Sequence, residues 1–400
     1  MPSHPSSHKA GDLLFLKRLN RSAILELVRR KPGVTRADIA TQAHLTKATV
    51  GTAVQSLLRQ GWLKEGELQK SSGGRPGRAL HLNSNHYLML GAEVGVHGIR
   101  IVACTLSGHV LASHQERLAP TTPEATAELL ANQLKAMLQS AKLANYTPLG
   151  IGIALPGPIA PGDPIIRLAP NLGWKDVRFL DFLQAHLPEF SGIWLMDNEA
   201  KSAAFGEIYF RTGQIPDSLA YISAGTGIGS GIVEGSHPPL VTRGIQGLAG
   251  EIGHTIMQPG GLYCHCGNRG CAETLVSGWS IRAKLGISEE EDLLEALLPR
   301  LNEANVQAVL HQAGEALGIL LLNVHHSLNP SELVLGGSLT QIGSSLMEPA
   351  LNYFKAHQNR LAGHSHKVPL RVIEDSTFVS ARGAAAQVLA SIIHGSSELI

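Results

Sequence analysis

Cysteine is scarce in this 400-residue chain: there are four, and three of them, Cys264, Cys266 and Cys271, fall within eight positions. Reduced thiols gathered at one place agree with a reducing compartment. No apolar run approaches the roughly 20 residues needed to span a bilayer. The amino end, MPSHPSSHKAGD, also lacks the apolar segment of a secretory signal. A membrane partner is therefore excluded and a cytoplasmic location expected. Net charge is small too, at +1, while an apolar share of 44% is ample for ordinary cores and no stretch reads as disordered. The length suggests two or three domains.

The three crowded cysteines stand in a C-x-C-x4-C spacing inside the Gly-rich run GGLYCHCGNRGC, and His254 precedes them by one short turn. Three thiolates and an imidazole, with no position left open, make the ligand set of a structural zinc site rather than a hydrolytic one. Buried thiols without a metal are the plainer alternative, and the crowding speaks against it. Cys104, in the apolar run IRIVACTL, reads as a core residue.

The small net charge hides an asymmetry. Residues 1–80 hold 14 Lys and Arg against 5 Asp and Glu, or +9, and residues 81–400 hold 19 against 27, or −8. A basic head on an acidic body is what a polyanion-binding module joined to a small-molecule domain looks like, although a merely solvated basic surface carries the same count. Within the head, residues 21–30 place Ile24, Leu25, Leu27 and Val28 on one helical face. Thr35 and Thr46 each stand where a hydroxyl caps a following helix, over RADIATQAH and KATVGTAVQSLLRQ. Helix, short helix, turn, longer helix and then GWLKEGELQKSSGGRPGRALHLN read as a winged helix-turn-helix whose third helix enters the major groove of double-stranded DNA. Thr46, Lys47, Thr49 and Thr52 are its exposed early positions. Arg75 and Arg78, in the compact turn SGGRPGR, suit a narrow minor groove, and the same turn also reads as a linker.

From Tyr87 the pattern becomes short apolar strands, a helical run over 123–141 and a buried strand LGIGIALPGPI, and the later half repeats the plan through SLAYISAGTGIGSGIVEG and ELVLGGSL. This is an α/β body of two similar halves with a cleft between them, where ligands go.

Residues 250–273 resemble the second signature of the ROK family, which joins bacterial sugar kinases and repressors: G-E-x-G-H, then C-x-C-G-x2-G-C-x-E, with every fixed letter present. The resemblance extends to the SGGRP segment between head and body and covers nearly the whole chain. It implies an actin- and hexokinase-like, two-lobed sugar domain behind the winged head. It also implies that Glu251, His254 and Glu273 hydrogen-bond the hydroxyls of a sugar while zinc holds their loop. The family's kinases carry D-x-G-G-T in a first phosphate loop and an aspartate base in an N-D-A-N segment. Here the aligned letters are Glu93-Val94-Gly95-Val96-His97 and Asp197-Asn198-Glu199-Ala200-Lys201. Val96 and His97 stand where close backbone approach and a hydroxyl are needed, and Glu199 has a methylene too many for a transfer geometry. Asn198 and Glu199 therefore look like sugar ligands, joined by Asn171 of LAPNLGW. Trp174 of that segment reads equally as an apolar wall of the site or as core. The glycines of residues 225–229 and 336–337 survive, but glycine turns between strands also arise for structural reasons.

The expectation is a sugar-responsive repressor of carbohydrate-utilisation genes. Residues 1–82 form its DNA-binding head, 83–195 a small lobe, and 196–400 a large lobe whose last helix returns to the small one. A neutral sugar, xylose or glucose first, would release it from its operator, and a homodimer or higher homo-oligomer would read two half-sites. The alternative is an ATP-dependent sugar kinase with an accessory head.

Overall fold

The structure is a computed structural model and describes residues 13–69, 76–118, 122–358 and 367–395. The first helix, α1 (Leu13–Arg30), begins earlier than the periodicity of residues 21–30 marks. Ile24, Leu25 and Val28 are buried on its inner face, whereas Phe15, Leu16 and Leu19 in the added turns have no core beneath them and stay exposed. Thr35 caps α2 (Arg36–Gln42) in a reciprocal box. Its hydroxyl accepts from the Asp38 backbone N–H, and the Asp38 carboxylate accepts from the Thr35 N–H, an arrangement worth about 1 kcal/mol. Thr46 caps α3 (Lys47–Arg59) by accepting from the Thr49 N–H, and Val50, Val54 and Leu57 face inward. Strands β1 (Leu63–Gln69) and β2 (Gly77–Leu82) pair antiparallel as a wing.

Only residues 83–86 separate the wing from the body. The Asn83 N–H donates to the Trp62 carbonyl, the Tyr87 hydroxyl donates to the Gln60 carbonyl at 2.8 Å, and the Trp62 and Tyr87 rings lie 4.7 Å apart. The head is thus packed onto the body rather than tethered to it.

The first lobe runs β3 (Tyr87–Gly95), β4 (Gly98–Thr105), β5 (Val110–Arg117), α4 (Pro123–Leu138), β6 (Thr147–Leu155), a small ribbon of β7 (Ile166–Ala169) and β8 (Trp174–Val177), α5 (Phe179–His186), β9 (Ile193–Asn198) and α6 (Glu199–Tyr209). Its sheet has the order β5-β4-β3-β6-β9, with β3 parallel to β6 and β6 to β9. Leu149 to Leu155 of β6 are buried without interruption, as a parallel strand covered on both faces requires. The division expected at 195/196 falls inside β9, which completes this sheet as far as Asn198.

The second lobe continues with β10 (Ser218–Ala224), β11 (Ile228–Glu234), β12 (Leu240–Val241), α7 (Glu273–Val276), α8 (Gly278–Leu285), α9 (Leu293–Leu297), α10 (Ala304–Leu328), β13 (Glu332–Gly336), α11 (Ser344–His357), β14 (Leu370–Val372) and α12 (Val379–His394). Its sheet order, β12-β11-β10-β13-β14, repeats the plan of the first: an antiparallel trio followed by two parallel strands. Helix α12 returns to the first lobe and lies between β3, β6 and α6. It comes so close to α6 that a methyl group on Gly383 would fall 1.9 Å from the Ser202 carbonyl oxygen, and one on Gly206 would fall 2.7 Å from the Gly383 Cα. Cys104 is buried in the core beneath the head, where burial pushes its thiol up to about 12. Among the described residues, no helix is long and apolar enough to cross a membrane.

Candidate metal centre and hydroxyl-binding cleft

His254 closes a 3-10 turn, Ile252–His254, and Glu251 immediately precedes that turn. The loop beyond it folds back on itself: Ile256 bridges to Cys271, Tyr263 bridges to Arg269, and the Arg269 guanidinium lies 3.7 Å over the Tyr263 ring. This folding brings one donor atom from each of His254, Cys264, Cys266 and Cys271 within 4.8 Å of the others. Cys266 Sγ and Cys271 Sγ are 3.7 Å apart, as are Cys264 Sγ and His254 Nδ1. A tetrahedral zinc with Zn–S bonds near 2.3 Å has ligand edges of about 3.8 Å, so the donors fit such an ion with every position filled. Burial pushes the thiols of Cys264 and Cys271 up. A cation must displace those protons, which couples metal affinity to pH. With Nδ1 turned to the cysteines, the other ring nitrogen of His254 is the one left for a ligand.

The metal loop ends where Glu273 opens α7. The Glu273 carboxylate is buried; Oε1 accepts the Ile228 N–H at 2.7 Å, while Oε2 stands 3.4 Å from Trp279 Nε1 and 4.0 Å from Cys264 Sγ. Ile228 follows the Gly-rich turn between β10 and β11. A methyl group on Gly227 in that turn would lie 2.5 Å from Glu273 Oε1 and 3.2 Å from Asn171 Nδ2. Asn171, from the ribbon of the first lobe, and Glu273, from the second, therefore meet at one glycine.

A second group of polar side chains gathers at the start of α6. Glu199 is its first residue, and Glu199 Oε2 is buried without a hydrogen-bond partner among the described residues. Burial foremost, then repulsion from Glu93 and Glu251, pushes this carboxyl up to about 8, so it carries a proton at neutral pH. Burial also raises Glu93, partly offset by Arg100, whose Nη1 donates to it at 2.7 Å. Lys201 is fully buried; its Nζ donates to the Gly247 carbonyl at 2.9 Å and stands 3.5 Å from Glu251 Oε1. Glu251 thus belongs to both groups, one turn from His254 and within reach of Lys201.

Asn198 is placed differently. Its Oδ1 caps α6 by accepting the Ala200 and Lys201 N–H groups at 3.0 and 3.1 Å, and its Nδ2 donates to the Gly157 carbonyl at 3.1 Å. One amide hydrogen is left for a ligand, so its main part is to hold the helix that presents Glu199. Trp174 is 4% exposed and stacks on Phe179 at 5.4 Å, so of its two readings the core one holds. Residues 93–97 form the end of β3 and a tight turn into β4, with Gly95 paired to Gly98.

On the head, Thr46, Lys47 and Thr52 are exposed and Thr49 is half-buried. The Thr46 and Thr49 hydroxyls share a 2.8 Å hydrogen bond, so Thr46 serves the cap first. Arg78 is exposed with its Nε 3.5 Å from Glu65 Oε2, and Arg75 lies outside the described residues. Sequence reasoning missed Lys201, whose only signal is a lone cation in the otherwise small-residue run EAKSAAFG. It also missed Arg243, which donates to Asp197 Oδ2 through Nε at 3.1 Å and Nη2 at 2.5 Å, and which no local pattern marks.

Residues 89–391 match the sequence model of the ROK family, and residues 18–64 match that of a winged helix-turn-helix DNA-binding domain. The chain is 30% identical to the xylose repressor of Bacillus subtilis (strain 168) over 337 residues, covering 83% of this chain and 85% of that one. It is 25% identical to the DNA-binding transcriptional dual regulator NagC of Escherichia coli (strain K12) over 398 residues, 96% of each. Among solved structures, a ROK family transcriptional regulator described as a homologue of the E. coli MLC protein superposes with a TM-score of 0.74 at 22% identity, over 95% of this chain and all of that one. A ROK family glucokinase from Streptomyces griseus, in complex with glucose and AMPPNP, superposes at 0.61 and 23% identity over 75% of this chain and 98% of the other. At these identities the two structures speak for the fold alone.

Proposed function

The chain belongs to the ROK family, and from that premise we propose that it is a sugar-responsive DNA-binding repressor of carbohydrate-utilisation genes. The observation that carries the reading is the union, in one chain, of a capped winged helix-turn-helix with a body in which Asn171 and Glu273 meet at Gly227 and Glu251 lies one turn from His254; these, with Glu199, are the groups we assign to a ring of hydroxyls. The xylose repressor at 30% identity and the regulator NagC support the same assignment. DNA would be met by Thr46, Lys47, Thr49 and Thr52 in the major groove and by Arg75 and Arg78 at the wing. The protein works in the cytoplasm as a homodimer on paired half-sites.

Zinc held by His254, Cys264, Cys266 and Cys271 supplies rigidity. This chain's own residues supply recognition. Glu251 and Glu273 accept hydrogen bonds, the free ring nitrogen of His254 and the remaining amide hydrogen of Asn198 complete the set, and protonated Glu199 donates. Lys201 and Arg100, the cations beside these residues, are both engaged with carboxylates, which favours an uncharged ligand over a phosphate. A neutral sugar is the inducer, with xylose first and glucose second. For sugar to release DNA it must bind the non-DNA arrangement better, and a coupling of about 1–3 kcal/mol is ordinary.

The second reading is an ATP-dependent sugar kinase, favoured by the Gly-rich turn at 225–229 and by the kinase-like fold. Glu199 stands where the base would be. A carboxyl held near 8 is only about one-tenth ionised at pH 7, which is a poor base for a sugar hydroxyl. Val96 in the tight turn after Glu93 offers no phosphate cradle either. The repressor reading is tested by fluorescence anisotropy of the protein on DNA from upstream of its own gene. The titration is run at fixed salt with D-xylose, D-glucose and N-acetylglucosamine. Release by one sugar is expected. Failure to bind that DNA, together with ATP-dependent phosphorylation of a hexose, would transfer the assignment to the kinase.

A further inference from the structure

Helix α6 begins at the cleft and ends under the head. Its first turn holds Asn198 as cap, Glu199, and Lys201 beside Glu251; its last residue, Tyr209, is fully buried beneath α1. Eleven residues of helix span about 16 Å. The backbone carbonyl of Tyr209 is among those that a helix end leaves without an internal partner. It accepts a hydrogen bond from Arg29 Nη1 of α1, and the Arg29 guanidinium lies 3.9 Å over the Tyr209 ring. A cation at a helix carboxyl end is also favoured by the helix dipole.

Arg29 is not alone there. It grips Glu26, one turn earlier in α1, through both carboxylate oxygens: Nε to Oε2 at 2.9 Å and Nη2 to Oε1 at 2.6 Å. Both side chains are buried, 7% exposed for Glu26 and 5% for Arg29, which is unusual for a pair in a small DNA-binding head. Glu26 in turn receives the end of α12, with His394 Nε2 3.3 Å from Oε2, and His237 Nδ1 stands 4.0 Å from Oε1. Burial works against the Glu26 carboxylate, yet the hydrogen bonds from Arg29 and the approach of His394 hold it down to about 2.

The two body helices that meet this pair are locked to each other. Gly206 and Gly383 bring their backbones into direct contact. At the cleft end, Ser202 Oγ lies 3.2 Å from Gln387 Oε1, and Gln387 Nε2 donates to Asp197 Oδ2 at 2.7 Å, one residue before the Asn198 cap. Helices α6 and α12 therefore form one stiff bar, tied to the residues of the cleft at one end and to Glu26 and Arg29 at the other.

We propose that Arg29 and Glu26 are positioning residues of the sugar response: they are the joint through which a shift of the α6–α12 bar, set by occupation of the cleft, reorients the DNA-binding head. The inference rests on the repressor reading. It requires the pair to contribute to coupling between sugar and DNA, not to the intrinsic affinity for either, since neither residue touches the groove-facing side of α3 or the cleft.

The test is a thermodynamic cycle on the full-length, zinc-loaded protein. Operator affinity is measured by anisotropy with and without whichever of D-xylose, D-glucose and N-acetylglucosamine releases the wild type. Affinity for that sugar without DNA is measured by calorimetry. The double variant R29M/E26Q removes both buried charges together, so that neither is left unpaired in the interior. R29K, which keeps the charge but loses the planar two-point grip on Glu26, is the conservative partner. Expected for R29M/E26Q is operator affinity without sugar, and sugar affinity without operator, each within about threefold of wild type, while a coupling of tenfold or more falls below about threefold. R29K should restore part of it. Undiminished coupling in a folded R29M/E26Q protein overturns the inference while leaving the repressor reading intact. If the double variant does not fold, R29K decides alone, and wild-type coupling in R29K then refutes the joint. A wild type that binds the operator but that none of the three sugars releases removes the response to these sugars, and the inference with it, while DNA binding itself stands.

Discussion

Replacing Glu199 by Gln should stabilise the protein, and by an amount that grows with pH. The side chain begins α6 with Oε2 buried and unpartnered, facing the carboxylates of Glu93 and Glu251, and its pKa stands near 8 against an ordinary value of 4.5. Below about pH 4.5 the group is protonated in both the folded and the unfolded chain, and the substitution changes little. Between 4.5 and 8 the unfolded chain releases the proton while the folded protein keeps it. The unfolded state then binds fewer protons, and stability falls as pH rises. At roughly 1.4 kcal/mol per pH unit the accumulated loss reaches a ceiling of about 4–5 kcal/mol by pH 8 and then levels off. Glutamine keeps the shape and cannot ionise, so E199Q escapes that loss. Urea unfolding of wild type and E199Q, followed by tryptophan fluorescence from pH 5 to 9, should give midpoints that nearly coincide at pH 5 and diverge steadily above it. A gap that is the same at pH 5 and pH 8.5, or no gap at pH 8.5, would refute the assignment of a buried, protonated carboxyl at this position.

Three more expectations concern other parts of the molecule. Lys47→Ala should weaken operator binding by a similar factor on every sequence and lower the slope of log affinity against log salt by about 1, as the loss of one phosphate contact does; a change in sequence preference instead would place Lys47 on a base edge. Glu273→Gln should lower sugar affinity by about one to two orders of magnitude in calorimetry while metal content stays at one ion per chain, because it removes an acceptor anchored on the Ile228 N–H without touching a ligand. Cys271→Ser should abolish stoichiometric zinc by elemental analysis and make residues 255–272 the first site of limited proteolysis; a protein that keeps its zinc and its protease resistance would show the four-donor reading to be mistaken.

What the sequence disclosed of all this was local. Thr35 and Thr46 could be recognised as caps because a cap needs only a hydroxyl and the next three residues. The zinc donors could be recognised because three of them lie within eight positions. Asn198 was harder to read: the letters suit a sugar ligand, and only the helix starting one residue later shows that the carboxamide is committed to Ala200 and Lys201. Trp174 was undecidable from its neighbours, since Phe179 shields it only once the ribbon has folded over. The lobe division at 195/196 falls a few residues early because β9 belongs with a strand some forty residues earlier in the chain. Glu26 and Arg29 gave no sign at all: their partners Tyr209 and His394 lie 180 residues or more away, and on a helical wheel they look like an ordinary solvated pair.

The four-residue passage from wing to body, with Trp62 on Tyr87 and the Tyr87 hydroxyl on the Gln60 carbonyl, bears on the geometry of the operator. A head on a loose tether can find its half-site wherever it lies and at whatever angle. A head seated in this way presents α3 in one defined direction for each setting of the joint at Glu26 and Arg29. Were two such protomers to associate, the rotation between their recognition helices would be fixed by the protein, and the DNA would have to supply half-sites on the matching face of the duplex. Adding five base pairs between them would turn one half-site by about half a helical revolution, to the far side. The spacing of the operator is therefore written into the packing of two aromatic rings that never touch DNA.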